Sequence, residues 1–259
     1  MDNLDNIKKK DSLGKKGFYL LPNLLTTSAL FAGFYSIVQA MNGAYDHAAL
    51  AIFVALIMDG LDGRVARLTN TQSEFGAEYD SLSDMVSFGV APALVIYVWA
   101  LQPLGKLGWI AAFIYCACAA FRLARFNVKL DIDSKQFFFG LPSPAAAALL
   151  ASFIWISFDN DISGNEIFLG FFQMQWFALI LTTFAALSMV TDIRYYSGKD
   201  INLRKSQPFI AILFIVLIFG VISHNPAEII FIAIMGYALS GYFMFFKKRL
   251  ISQSNKKND

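Results

Sequence analysis

The chain has 259 residues, of which 57% are apolar and only 15% charged, against about 25% charged in an ordinary soluble chain. Mean hydropathy is +0.53 and the formal net charge is +2. These values exclude a disordered chain, a basic nucleic-acid binder and a disulfide-stapled secreted domain, and they leave too few polar residues to cover a soluble globule.

A helix needs about 20 mostly apolar residues to cross a bilayer. Eight such stretches follow in order: 18–41, 47–67, 75–101, 108–127, 143–158, 172–191, 208–223 and 227–246. Short gaps join them, as in one helical bundle. The expected fold class is therefore all-α: a polytopic integral-membrane bundle of about eight transmembrane helices. Residues 1–17 carry two lysine clusters and read as a solvated arm. Pro22 is expected to break the first span, with Leu20 to Leu25 lying along the interface. The two cysteines, Cys116 and Cys118, lie in an apolar run and read as packing residues.

Charge sets the orientation. With the N-terminus in the cytoplasm, every one of the 21 Lys and Arg residues except Lys106 falls on the inner side, as the positive-inside rule requires. The loops 42–46, 159–171 and 224–226 contain neither residue type. Trp99, Trp109, Trp155 and Trp176 fall at outer ends, where an aromatic belt is expected. Both termini are thus expected in the cytoplasm.

The second stretch meets Asp59 about 11 residues after Ala48, a helix rise of about 16 Å, too short to have crossed the bilayer. Asp62, Arg64 and Arg67 follow, and Asp80 and Asp84 open the third stretch. Carboxylates at that depth need a wet cavity or a compensating charge, and are functional candidates. Spacings of three and four place each pair on one helix face, and the two helices are consecutive and antiparallel. Facing pairs of oxygen ligands suit Mg²⁺ or Mn²⁺, with Ca²⁺ as the alternative, and not zinc. Gly63 and Gly76 lack the side chains that would keep a ligand from the backbone.

Written out, the segment is Asp59-x-x-Asp62-Gly63-x-x-Ala66-Arg67, eight residues, then Gly76-x-x-x-Asp80-x-x-x-Asp84. It resembles the signature of the CDP-alcohol phosphotransferase family at every position. The resemblance implies a membrane enzyme that moves a phosphatidyl or similar group from a CDP-linked donor to an alcohol and releases CMP. It implies a six-helix core with a cytoplasmic-side site, here residues 18–206. Residues 207–246 would then be two additional helices and 247–259 a tail, all within a single domain over 1–259. It further implies that Asp62, Gly63, Ala66, Arg67 and Gly76 surround the CDP moiety, and that the enzyme is a homodimer in the cell's inner membrane.

A second stretch narrows the acceptor. Phe121-Arg122-Leu123-Ala124-Arg125-Phe126-Asn127, then Phe139-Gly140-Leu141-Pro142-Ser143-Pro144-Ala145, with Pro22-Asn23-Leu24-Leu25-Thr26, is similar to the serine-accepting branch of that family. The implied substrates are CDP-diacylglycerol and L-serine, with the bilayer as the lipid source and no nucleic acid. Asp59, Asp62 and Asp80 would hold metal. Asp84 would be a fourth ligand or the general base for the serine hydroxyl. Arg122 and Arg125 can grip a pyrophosphate or a serine carboxylate, or merely set topology. Asn127, Ser143, Asn23 and Thr26 complete the candidate phosphate or serine contacts. Two alternatives stay open: another acceptor (glycerol phosphate, inositol phosphate or choline), and a divalent-cation transporter using the same four acids.

Overall fold

The computed structural model describes residues 2–129, 137–162, 164, 167–168, 172–196, 220 and 225–255. Eight helices are named in chain order: α1 (Asp2–Met41), α2 (Tyr45–Thr69), α3 (Glu74–Asp84), α4 (Ala91–Ile96), α5 (Lys106–Lys129), α6 (Ser143–Asp159), α7 (Met174–Val190) and α8 (Pro226–Asn255). Four described segments are long and apolar enough to cross a membrane: Leu20–Met41, Glu74–Leu104, Lys106–Val128 and Pro226–Lys247. Helices α6 and α7 are apolar but shorter. The expected stretch 208–223 lies outside the described residues except for Gly220.

Among the described residues, two short antiparallel ribbons depart from the helical pattern. One pairs β1 (Phe137–Phe139) with β4 (Arg194–Tyr196), and the other pairs β2 (Ile167–Phe168) with β3 (Phe172–Gln173). They occur where the chain leaves a helix and its backbone polar groups need partners.

Pro22 does not break the first helix; α1 runs through it, and the arm's described backbone is helical too. Within a bundle, neighbouring side chains can re-satisfy groups that a proline frees. Pro92 illustrates the remedy. It leaves the Phe88 carbonyl without its usual i+4 donor, and the buried Tyr115 hydroxyl on α5 donates to that carbonyl at 3.2 Å. Around Pro92 the backbone widens into π-helical turns at Met85–Val90 and Tyr97–Leu101.

The core is built from small side chains. Ala48, Ala49 and Ala55 of α2, Ala119 of α5, Ala146, Ala147 and Ala151 of α6, and Ala178, Ala185 and Ala186 of α7 are buried, which lets the helix backbones approach closely. Serine hydroxyls stitch α1 to its neighbours: Ser36 donates to the Ala48 carbonyl at 2.7 Å, Ser83 to Thr26 at 3.1 Å and Ser87 to Ala29 at 3.1 Å. The expected tryptophan belt is only half formed. Trp109 and Trp176 are exposed, but Trp99 packs edge-on against Phe153 and Trp155 against Phe53. A span that packs on several neighbours turns its indole inward.

Gly33 marks the tightest approach of α1 to the π turn. A Cβ there would stand 2.6 Å from Ser87 Oγ and 2.7 Å from Ser87 Cα. Gly33→Ala should therefore destabilise the fold by about 1–3 kcal/mol through overpacking. Thermal unfolding in detergent checks this, with Gly236→Ala, where nothing lies within 4 Å, expected to lose nothing.

Candidate active site

Helix α2 ends where Asn70 takes the left-handed conformation (φ 53°) and its N–H bonds back to the Ala66 and Arg67 carbonyls. Ser73 then caps α3, its hydroxyl accepting from the Gly76 N–H at 3.0 Å. This tight reversal turns the end of α2 back against the start of α3. Asp59 and Asp62 thereby meet Asp80: one oxygen from each lies within 4.8 Å of the others. Asp84 lies one turn beyond Asp80, with its carboxyl within hydrogen-bond reach of Asp59.

The donor set fits a hard divalent cation. All ligand atoms are carboxylate oxygens. Asp80 Oδ1 is buried without a hydrogen-bond partner, a costly state that a bound cation would relieve. Asp62, only 4% exposed, accepts a hydrogen bond at 2.6 Å from Thr26 of α1. Magnesium or manganese fits this set.

Beside the carboxylates is a cavity of ≈ 360 Å³. Asp62, Gly63, Ala66 and Arg67 form its α2 wall, Gly76 and Asp80 its α3 wall, and Asn23 and Thr26 its α1 wall. Both glycines face open space or soft neighbours. A Cβ at Gly63 would meet nothing closer than the flexible Arg67 guanidinium at 3.4 Å, and one at Gly76 would meet Ser73 Oγ at 3.1 Å. Eight of the residues expected at the site thus line one cavity. Thr71, Gln72, Ser73 and Ala77 line it as well. They sit in the turn and the first α3 turn, where hydropathy and charge carry no signal for them.

The second cluster of expected residues lies to one side. Arg122 donates to the buried Ser143 hydroxyl at 3.0 Å and interacts electrostatically with Asp84. Arg125 is ion-paired with Asp192 and lies over the Phe139 ring, which Arg194 also covers. Asn127 exchanges hydrogen bonds with Ser81 at 2.9 and 3.2 Å, tying α5 to α3 between Asp80 and Asp84. None of Arg122, Arg125, Asn127 and Ser143 lines the cavity. The Phe139–Ala145 motif explains how this cluster is held. Gly140 has φ +77°, and a Cβ there would collide with the Met189 carbonyl. Its N–H donates to Ile193 at 2.9 Å, and that of Leu141 to Ser188 at 2.8 Å. The motif is thereby clamped to the end of α7, with Ser143 presented to Arg122. Asp192, Ser81 and Ser83 were not singled out in the sequence; the spacing of Ser83 and Ser87 by four in an apolar run was the available signal.

Residues 19–184, well over half the chain, match the family model described as CDP-alcohol phosphatidyltransferase. A Helicobacter pylori (strain J99) protein named CDP-diacylglycerol–serine O-phosphatidyltransferase is 35% identical over 245 residues, covering 92% of this chain and 97% of its own. A Mycobacterium leprae protein of the same name is 30% identical over 223 residues, covering 84% of this chain and 72% of its own. An archaetidylserine synthase from Methanothermobacter thermautotrophicus is 38% identical over 148 residues, or 56% and 62% of the two chains. With its carboxylates and glycines gathered round one cavity and this extent of similarity, the chain belongs to the CDP-alcohol phosphatidyltransferase family, an integral-membrane enzyme family.

Proposed function

We propose that this enzyme transfers the phosphatidyl group of CDP-diacylglycerol to the hydroxyl of L-serine, giving phosphatidylserine and CMP. The observation that carries the reading is the meeting of three carboxylate oxygens within 4.8 Å at the wall of a cavity flanked by Gly63 and Gly76. Similarity to serine-using relatives along 92% of the chain supports serine as the acceptor. Measuring CMP release from CDP-diacylglycerol, with and without L-serine and Mg²⁺, tests it. Release that ignores serine but follows glycerol phosphate, inositol phosphate or choline would replace the acceptor.

In this reading Asp59, Asp62 and Asp80 hold Mg²⁺ or Mn²⁺. When bound, the metal neutralises charge on the pyrophosphate and on the departing CMP. Gly63, Ala66, Arg67 and Gly76 seat the CMP portion, Arg67 as a cation at the cavity wall. Asp84, one turn from Asp80 and near Arg122, takes the proton from the serine hydroxyl as its oxygen attacks the phosphatidyl phosphorus. The bond from that phosphorus to CMP then breaks, with no covalent enzyme intermediate. Arg122 steadies an anionic group near Asp84, while Arg125 is oriented by Asp192 for a serine carboxylate or phosphate. Positioning and charge neutralisation supply most of the rate in such transfers.

The topology belongs to the same proposal: eight spans, with both termini and the aspartate end on the cytoplasmic face of the inner membrane. The charge split supports it, and so does the common end shared by Asp62, Asp80, Arg122 and Asp192. The domain is read as an arm (1–17), a six-helix core (18–206), two further helices (207–246) and a tail (247–259), and the enzyme as a homodimer by family resemblance.

Asp62→Asn is expected to abolish serine-dependent CMP release while the protein still inserts and purifies; full turnover at ordinary Mg²⁺ would contradict the ligand assignment. Asp84→Asn should keep donor binding and lose roughly 10²–10⁴ in rate if general-base catalysis is its main role.

Gly63→Ala separates site from fold. Removing a mid-helix glycine should hold or raise stability by up to about 1 kcal/mol, whereas the added methyl enters the cavity. The expected result is an unchanged or higher Tm with a raised KM for the CDP-linked donor.

A cysteine at Asn160 should react with an impermeant thiol reagent added to intact cells, and one at Asn70 should not. The reverse pattern would invert the orientation.

A further inference from the structure

We infer that Thr26 is a positioning residue for the metal centre: its hydroxyl orients Asp62 and leaves the other Asp62 oxygen for the cation. This rests on the reading that Asp59, Asp62 and Asp80 hold a metal.

Thr26 is 3% exposed and its hydroxyl has one proton. Two acceptors are in range, Asp62 Oδ2 at 2.6 Å and the Pro22 carbonyl at 3.1 Å. The short contact to the charged acceptor is the stronger of the two. Thr26 is β-branched, buried and inside a helix, which restricts its χ1 to few rotamers, so the donor reaches Asp62 from a stiff mount.

That mount is itself fixed to the second carboxylate helix. The Thr26 carbonyl accepts from Ser83, the residue before Asp84. The next residue, Thr27, shares a 2.9 Å hydrogen bond with the hydroxyl of Tyr79, the residue before Asp80. One turn of α1 therefore grips α2 at Asp62 and α3 beside Asp80 and Asp84. Because Asp62 and Asp80 come from different helices, their separation is only as well defined as this third element makes it. Partners of metal ligands commonly account for 10–100-fold in metal affinity.

The test uses the full chain in detergent, titrated with Mn²⁺ and followed by the loss of the free-ion EPR signal. Thr26→Val keeps the shape and removes the donor. It is expected to weaken Mn²⁺ binding 10–100-fold, while Thr26→Ser, which keeps the donor, binds close to wild type. Raising Mn²⁺ should restore CMP release by Thr26→Val without a change in serine KM. Thr26→Ala carries the same expectation should the valine variant fail to fold. Wild-type Mn²⁺ affinity in Thr26→Val or Thr26→Ala, above all with a raised donor KM, overturns the inference and makes Thr26 a substrate contact. If the wild type itself binds no Mn²⁺ and Asp62→Asn changes nothing, the metal reading falls and takes this inference with it.

Discussion

Mutual repulsion among clustered, partly buried carboxylates is the constraint around which this bundle is arranged. Two unit charges within 4.8 Å of each other repel by at least about 3 kcal/mol at an effective dielectric of about 20, and burying an acid in the membrane adds up to about 2.5–3.5 kcal/mol at the bilayer centre. A hydrogen bond to a charged group returns about 1.5–3 kcal/mol. The Thr26 contact to Asp62 therefore cannot offset the cluster alone, and Asp80 Oδ1 has no hydrogen-bond partner among the described residues. A divalent cation would compensate the cluster, and in the proposed reaction it would also neutralise the donor's pyrophosphate as CMP departs.

The packing follows from holding those charges at a fixed spacing. Residues from three helices must meet within a few ångströms, so their backbones must approach closely. Alanine-rich cores, Gly33 against Ser87 and the serine hydroxyls donated across helix pairs achieve this approach without leaving polar groups unsatisfied. The π turn from Met85 to Val90 begins immediately after Asp84, where the chain passes from the polar site to an apolar span. Such turns often occur at functional sites.

The site has two parts with different supports. The cavity beside the aspartate cluster is framed by helices joined through a short capped turn. The arginine cluster is framed by contacts distant in sequence: Gly140 on Ile193, Arg122 on Ser143 and Arg125 on Asp192. Asp84 lies between the two parts, within reach of Asp59 on one side and of the Arg122 charge on the other.

Much of this was legible in the chain itself. Seven of the eight apolar stretches coincide with described helices, and four described segments are long and apolar enough to cross a membrane, because a run of about 20 apolar residues has few other uses. The meeting of the acids at 59, 62 and 80 beside the glycines at 63 and 76 was legible, because spacings of three and four put carboxylates on one helix face whatever the bundle does. Other features depended on neighbours that the local sequence cannot see. Pro22 reads as a break and lies inside a helix. Trp99 and Trp155 read as belt residues and pack inward. Arg125 reads as a grip for an anion or as a topology-setting charge, and it is paired with Asp192, which carried no local signal. Thr26 reads as a substrate contact and spends its hydroxyl on Asp62. Periodicity and charge are properties of a segment and so survive without the fold; the partner of a given hydroxyl or guanidinium is set by which helices touch, and only the tertiary structure decides that.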